Sequence, residues 1–199
     1  MPRKKDPRTR GVVDAGRGDQ TVPMSSINAA DTATTTPDGA LPPIALGPGE
    51  GEHFWFFGGL TTIKADGAGT GGRMTLTEQT APRGSGSPLH VHHNEDEWFY
   101  VLEGELTIWV AGQTVVAPAG SFVFGPRDVP HTFIVSSDEA RFLLATQAAG
   151  FEGFIRTLGT PAPVAKIPPA PAAPPDMAPV LQAAADHGLE ILGPPGIPA

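Results

Sequence analysis

The sequence contains no cysteine. Disulfides, thiolate-held zinc and a cysteine nucleophile are therefore excluded, and any bound metal must be held by nitrogen and oxygen ligands. Compartment is left open by that absence, since a chain without cysteine suits oxidising and reducing surroundings alike. No apolar run approaches the ~20 residues of a transmembrane helix. The leader MPRKKDPRTRG is basic but is followed by no apolar stretch, so a standard secretory signal is not expected and the default location is cytoplasmic. Positive charge is scarce. Lys and Arg number 13 against 21 Asp and Glu, and the formal net charge is -8. Arg3, Lys4, Lys5, Arg8, Arg10 and Arg17 all lie in the first seventeen positions, which leaves the rest of the chain more acidic still. Neither a nucleic-acid surface nor a membrane-binding face is expected on such a body, and the leader reads as a solvated segment.

Glycine and proline are abundant instead, 25 and 23 of 199 residues. That is well above an average soluble composition and suits many short strands joined by tight turns. The length allows one domain. Residues 1–40 are polar with little apolar periodicity and are expected to be disordered. Residues 41–159 are expected to form the folded domain. From Arg73 to Gln147 short alternating runs (HVHH, EWFYVL, ELTIWV, TVVA, FVF, HTFIV, RFLLATQ) are punctuated by Gly, Pro and Asn-type turns. Strands this short and evenly spaced indicate an all-β sandwich or small barrel. Phe151, Phe154, Ile155 and Leu158 fall at i, i+3, i+4 and i+7, predicting a short helix over 151–158. Residues 160–199 read as a Pro/Ala-rich spacer, then a helix over about 177–187 capped by Asp176 and stopped by Gly188, then a tail. That helix is too short to stand alone and must dock on its own barrel or on a partner subunit.

The segment carrying chemistry is GSGSPLHVHHNEDEWFYVLEGEL. His90 and His92 are two apart, so on a strand both rings share a face. Glu97 opens the next run, where Phe99 and Val101 share its face. His131 lies on a later strand and shares a face with Phe133 and Val135. His93 faces away from His92 and is expected at the surface. Three imidazoles and a carboxylate converging inside a barrel suit one divalent transition metal ion, whether Fe, Mn, Ni, Co, Cu or Zn. Such a set leaves open positions for water, dioxygen or substrate.

These motifs resemble those of the cupin superfamily. Gly84, His90, His92, Glu97 and Gly104 match the first cupin motif at every spacing. Gly112, Pro118, Gly120 and His131 match the second, with a longer stretch before the histidine and Val135 where an asparagine is often found. The resemblance implies a cupin (RmlC-like jelly-roll) β-barrel with short C-terminal helices, and metal ligands His90, His92, Glu97 and His131. Within the superfamily the chain is similar to small single-domain cupins related to quercetin 2,3-dioxygenase, through FWFFGGLTTIKA, the segment centred on Glu97 and Gly104, and FEGFIRTLGTPA. That likeness implies a metal-dependent dioxygenase acting on a flavonol-like or other enolisable aromatic substrate. Glu97 would act as ligand and as catalytic base, dioxygen as co-substrate, and the heterocycle would open with loss of carbon monoxide. Met74, Leu76, Phe99, Val101, Phe122, Phe124 and Phe133 are the expected pocket lining. A homodimer is expected from the family habit and the C-terminal segment. Two other functions fit the same fold: a metal-dependent isomerase or epimerase, which would want basic residues in its pocket, and a non-enzymatic metal- or small-molecule-binding module.

Overall fold

Alternating residues in short runs can bury one side of each strand only by stacking two sheets, and the computed structural model has that arrangement. It describes residues 39–170 and 176–198; the expectation for residues 1–38, and the middle of the Pro/Ala-rich segment, lie outside the described residues. In chain order the elements are β1 (Glu52–Phe56), β2 (Gly59–Ala65), the one-turn α1 (Gly67–Thr70), β3 (Thr75–Pro82), β4 (Pro88–His92), β5 (Asp96–Glu103), β6 (Glu105–Val110), β7 (Gln113–Pro118), β8 (Phe122–Gly125), β9 (His131–Val135), β10 (Glu139–Gln147), α2 (Phe151–Leu158), β11 (Thr160–Pro161), α3 (Met177–Asp186) and β12 (Leu189–Pro195). One sheet has seven strands in the order β11-β1-β2-β3-β10-β5-β8, the other five in the order β12-β4-β9-β6-β7. All pairings are antiparallel. This is the expected cupin jelly-roll with few short helices. Among the described residues no helix is long and apolar enough to cross a membrane.

Phe99, Val101 and Phe142 from the larger sheet meet Leu106, Ile108, Phe133 and Val135 from the smaller one in a buried core. Phe133 packs on Phe99 and Phe142 with ring centroids 5.5 and 5.3 Å apart. On β3 the phase is opposite to the one expected. Thr75, Thr77, Gln79 and Ala81 face inward, while Leu76 is only half-buried on the other face and Met74 lies before the strand. Threonine is tolerated there because its hydroxyl finds a partner: Thr77 donates to Leu144 O at 3.0 Å and Thr75 donates to Glu152.

Helix α2 buries Phe151, Phe154 and Ile155. Asp176 caps α3, accepting from Ala178 N at 3.0 Å, and Val180, Ala183 and Ala184 form the buried face by which α3 docks on its own barrel. The segment after Gly188, expected to be a tail, is instead strand β12. It pairs with β4, Leu189 opposite His92 and Ile191 opposite His90. The Gly and Pro residues that hide this strand in the sequence sit where its register shifts, at a sheet edge where proline is tolerated.

Two turns make contrasting demands on the backbone. The β6–β7 hairpin closes through Ala111 and Gly112, with φ of 51° and 81°, as a two-residue turn of the primed type requires. Gly104 between β5 and β6 has φ 75°, and a Cβ there would collide with the carbonyl of Glu139. Ala111→Gly should therefore stabilise the fold by ~1 kcal/mol by relieving a left-handed alanine. Gly104→Ala should cost more than ~2 kcal/mol through left-handed strain plus the collision. Urea unfolding of the two variants checks both signs.

Candidate metal centre

The four expected ligands come together from both sheets. His90 and His92 project from β4 on one face. His131 on β9 stands directly opposite His90 in the β4–β9 pairing. Glu97 is delivered by β5 of the facing sheet. All four are buried, and one ligand atom from each lies within 4.8 Å of the others. His90 Nε2 and His92 Nε2 are 3.2 Å apart, His131 Nε2 is 2.9 Å from Glu97 Oε2, and His92 Nε2 is 3.6 Å from Glu97 Oε1.

The opposite ring nitrogens determine what those Nε2 atoms can do. His90 Nδ1 is 2.8 Å from the carbonyl of Pro88 and His131 Nδ1 is 2.9 Å from that of Val129. A carbonyl only accepts, so both Nδ1 atoms carry the hydrogen; the neutral His90 ring then presents a lone pair at Nε2, while His131 Nε2 donates to Glu97 Oε2, a proton that a bound cation would replace. His92 Nδ1 faces the carboxylate of Glu95 at 3.1 Å, the outer partner that gives a ligating imidazole the same tautomer. Glu95 is itself buried, and Gly150 lies so close that a Cβ there would sit 2.6 Å from Glu95 Oε1. The lone pairs of His90 and His92 thus face each other with nothing to share. A cation between them resolves that repulsion, and the nitrogen-oxygen donor set suits a first-row divalent ion. Ligands stand about 2.0–2.2 Å from such an ion, so little rearrangement is needed to bind one. Thr146, in register with Glu97 across β5–β10, is fully buried, and its hydroxyl is the only buried side-chain polar atom without a hydrogen-bond partner among the described residues.

Electrostatics point the same way. Burial, reinforced by the charges of His131 and His92, pushes His90 down to about 3, so it is a neutral donor at ordinary pH. Burial alone would raise Glu97, but the charge of His92 and the hydrogen bond from His131 outweigh it and bring the carboxyl down to about 2. Burial would lower His131, yet its hydrogen bond to Glu97 raises it. His93 lies outside the site, as expected, exposed and 2.7 Å from Asp128, whose hydrogen bond raises it.

The cluster opens into a cavity lined by His90 and Glu97, by the polar Gln79, Ser85 and Ser87, and by apolar side chains that include Phe56, Phe133, Phe151, Phe154, Leu189 and Ile191. Of the seven expected pocket residues only Phe133 lines it. Phe99 and Val101 face inward but lie in the closed core beneath it. Met74 and Leu76 are excluded by the phase of β3. Phe122 and Phe124, 61 % and 49 % exposed, face outward from edge strand β8 beside Tyr100 and Trp98. The sequence reasoning missed the wall built by the β1–β2 hairpin, α2 and β12. The i, i+3 spacing of Phe151 and Phe154 was a usable signal for part of it; nothing local marks Leu189 and Ile191. Glu95 was missed too, though a carboxylate three residues after His92 was visible.

Residues 77–146 match the cupin domain family. Quercetin 2,3-dioxygenase of Bacillus subtilis (strain 168) is 32% identical over 143 residues, which cover 72% of this chain and 42% of that protein. The quercetin 2,3-dioxygenase of Aspergillus japonicus is 30% identical over 101 residues, covering 47% of this chain and 29% of that protein. The chain thus spans less than half the length of these curated relatives. An RmlC-like cupin structure from Shewanella frigidimarina NCIMB 400 has a TM-score of 0.46 at 20% sequence identity, over 52% of this chain and 89% of that one.

Replacing His92 by Ala removes one donor and should leave the purified protein without stoichiometric metal. Glu95→Ala leaves all four ligands in place and should weaken metal affinity by roughly 10–100-fold, the usual effect of losing an outer partner. Elemental analysis and competition against a chromophoric chelator distinguish the two outcomes.

Proposed function

The chain is a cupin-superfamily protein resembling the quercetin 2,3-dioxygenase-like cupins, and on that premise we propose that it is a metal-dependent dioxygenase acting on a flavonol-like or other enolisable aromatic substrate. The observation that carries this reading is the opening of a buried His90–His92–Glu97–His131 cluster into a cavity walled by aromatic and aliphatic side chains. The similarity to two quercetin 2,3-dioxygenases supports the choice of substrate class.

A divalent ion held by these four residues would supply Lewis acidity to an enol oxygen and so lower its pKa. The chain's own residues would do the rest. Glu97 lines the cavity, where its carboxylate, held ionised by its histidine neighbours, would accept the hydroxyl proton of the substrate. Phe151 is seated against the His92 ring, centroids 5.5 Å apart, and Phe56 stands edge-on to Phe154 at 5.7 Å. Together they offer planar apolar surface to an aromatic ligand and exclude water from its reacting edge. Overall, a flavonol and one dioxygen would give a ring-opened ester and one carbon monoxide.

An epimerase or isomerase of anionic sugars is less well supported, because no Lys or Arg is among the described residues lining the cavity. A homodimer in the cytoplasm belongs to the same proposal. Its support is the outward aromatic face of β5 and β8, with Tyr100, Phe122 and Phe124 exposed; a light-scattering mass of one chain would remove it.

The test is oxygen uptake. Protein reconstituted with Fe, Mn, Ni, Co, Cu or Zn should consume dioxygen with quercetin in at least one metal form. Glu97→Gln should reduce the rate by roughly 10²-fold or more, as expected for loss of a general base. The metal content of the same samples separates a lost base from a lost ligand. Bound metal with no uptake from quercetin or related enols would favour a binding module instead.

A further inference from the structure

Outside the metal cluster the cavity is lined by three polar side chains, Gln79, Ser85 and Ser87, of which Gln79 is the buried one. Gln79 lies on the inner face of β3, 8 % exposed, and lines the same cavity as His90 and Glu97. Its amide can make about four hydrogen bonds. It has one contact, Nε2 to Thr77 Oγ1 at 3.4 Å, beyond the ordinary range of such bonds. Among the described residues its Oε1 accepts none. The threonines on the same face, by contrast, are satisfied: Thr75 by Glu152 and Thr77 by the carbonyl of Leu144. Its Oε1 is open to the cavity and unclaimed by any described residue, so the amide is free to hydrogen-bond a bound ligand.

Sheet register locates it relative to the cluster. Gln79 pairs with Phe142, and Phe142 with Val101, so these three form one row across the sheet. Thr75, Thr146 and Glu97 form another. The rows are four residues apart, or about 13 Å at ~3.3 Å per residue along a strand. Gln79 therefore stands four residues along the sheet from the row of the carboxylate, on the wall of the same cavity.

We propose that Gln79 is the residue that orients and selects the substrate, its amide hydrogen-bonding a hydroxyl on a ring of a polyhydroxylated flavonol remote from the enol bound at the metal cluster. This rests on the flavonol reading above. It makes the site selective for substrates that carry a polar group at both ends, and it assigns the apolar walls to the middle of the molecule.

The proposal is tested with two probes, quercetin and 3-hydroxyflavone, which share the enol but differ in the remaining hydroxyls. Binding to metal-reconstituted protein is followed without oxygen through the absorbance of the flavonol. Wild type should bind quercetin more tightly than 3-hydroxyflavone. Gln79→Met, which keeps the length of the side chain and removes its polarity, should lose about tenfold in quercetin affinity and leave 3-hydroxyflavone unchanged. The ligand-free Gln79→Met protein should melt at or above the wild-type temperature. Equal loss for both probes, no loss for either, or a lowered melting temperature would overturn the role of Gln79 while leaving the flavonol reading intact. Failure of wild type to bind either probe would overturn both.

Discussion

Everything in this molecule is arranged around three imidazole nitrogens and one carboxylate that have been taken out of water and gathered at a single point. Such a cluster is unfavourable on its own terms. Burial penalises the charge on Glu97, and the facing lone pairs of His90 and His92 repel. It persists because each member is held from behind. The carbonyls of Pro88 and Val129 and the carboxylate of Glu95 take the outer hydrogens of the three rings, so no ring can turn or change tautomer without losing a buried hydrogen bond. Placing the donors on paired strands adds rigidity, since a one-residue slip of β4 against β9 would turn His90 and His92 out of the barrel.

The walls around the cluster depend on a second buried carboxylate. Glu152, in the first turn of α2, accepts hydrogen bonds from Gly67 N and Gly150 N, each at 2.8 Å, and from the hydroxyl of Thr75. Burial alone would raise its pKa, but these donors, Thr75 foremost, hold it below the usual carboxylate range. One side chain thus fastens α2 to β3 and to the turn around α1, and so fixes where Phe151 and Phe154 stand over the cavity. Helix α3 and β12 close the opposite edge, with Leu189 and Ile191 laid across the histidine strand. The chemistry is held by the central strands, while the elements that shape access come from the start and end of the domain.

This division explains what could be read in the sequence. The four clustered residues obey strict local rules: two histidines on alternate positions, a carboxylate at the head of the next strand, and glycines at turns such as Gly104 where only glycine fits. Alternation alone therefore phased His90, His92, Glu97 and His131 correctly, and the helix over 151–158 was legible from its period. The pocket was not, because it is made by elements distant in sequence whose contacts no local pattern records. Leu189 lies opposite His92 although 97 positions separate them. On β3 the assumption that the more apolar residue faces inward failed, since Thr75 and Thr77 carry hydroxyls that the interior can satisfy. Phe122 and Phe124 failed for the converse reason: β8 is an edge strand only four residues long, and its aromatic side lies outside the sandwich.

The reversed phase of β3 has a consequence for how selectivity can arise in this barrel. A strand that had turned Met74, Leu76 and Glu78 inward would have put a bulky aliphatic residue and a carboxylate against the cavity, the latter competing with Glu97 for any cation. The phase adopted sends Glu78 outward to ion pairs with Lys64 at 3.2 Å and Arg141 at 3.1 Å. The inner face keeps small or neutral polar groups, so the four-residue cluster is the only charged feature on the cavity wall among the described residues. Among the described residues the cavity wall offers no cationic side chain away from the cluster, so an anionic group held there would be buried without a partner.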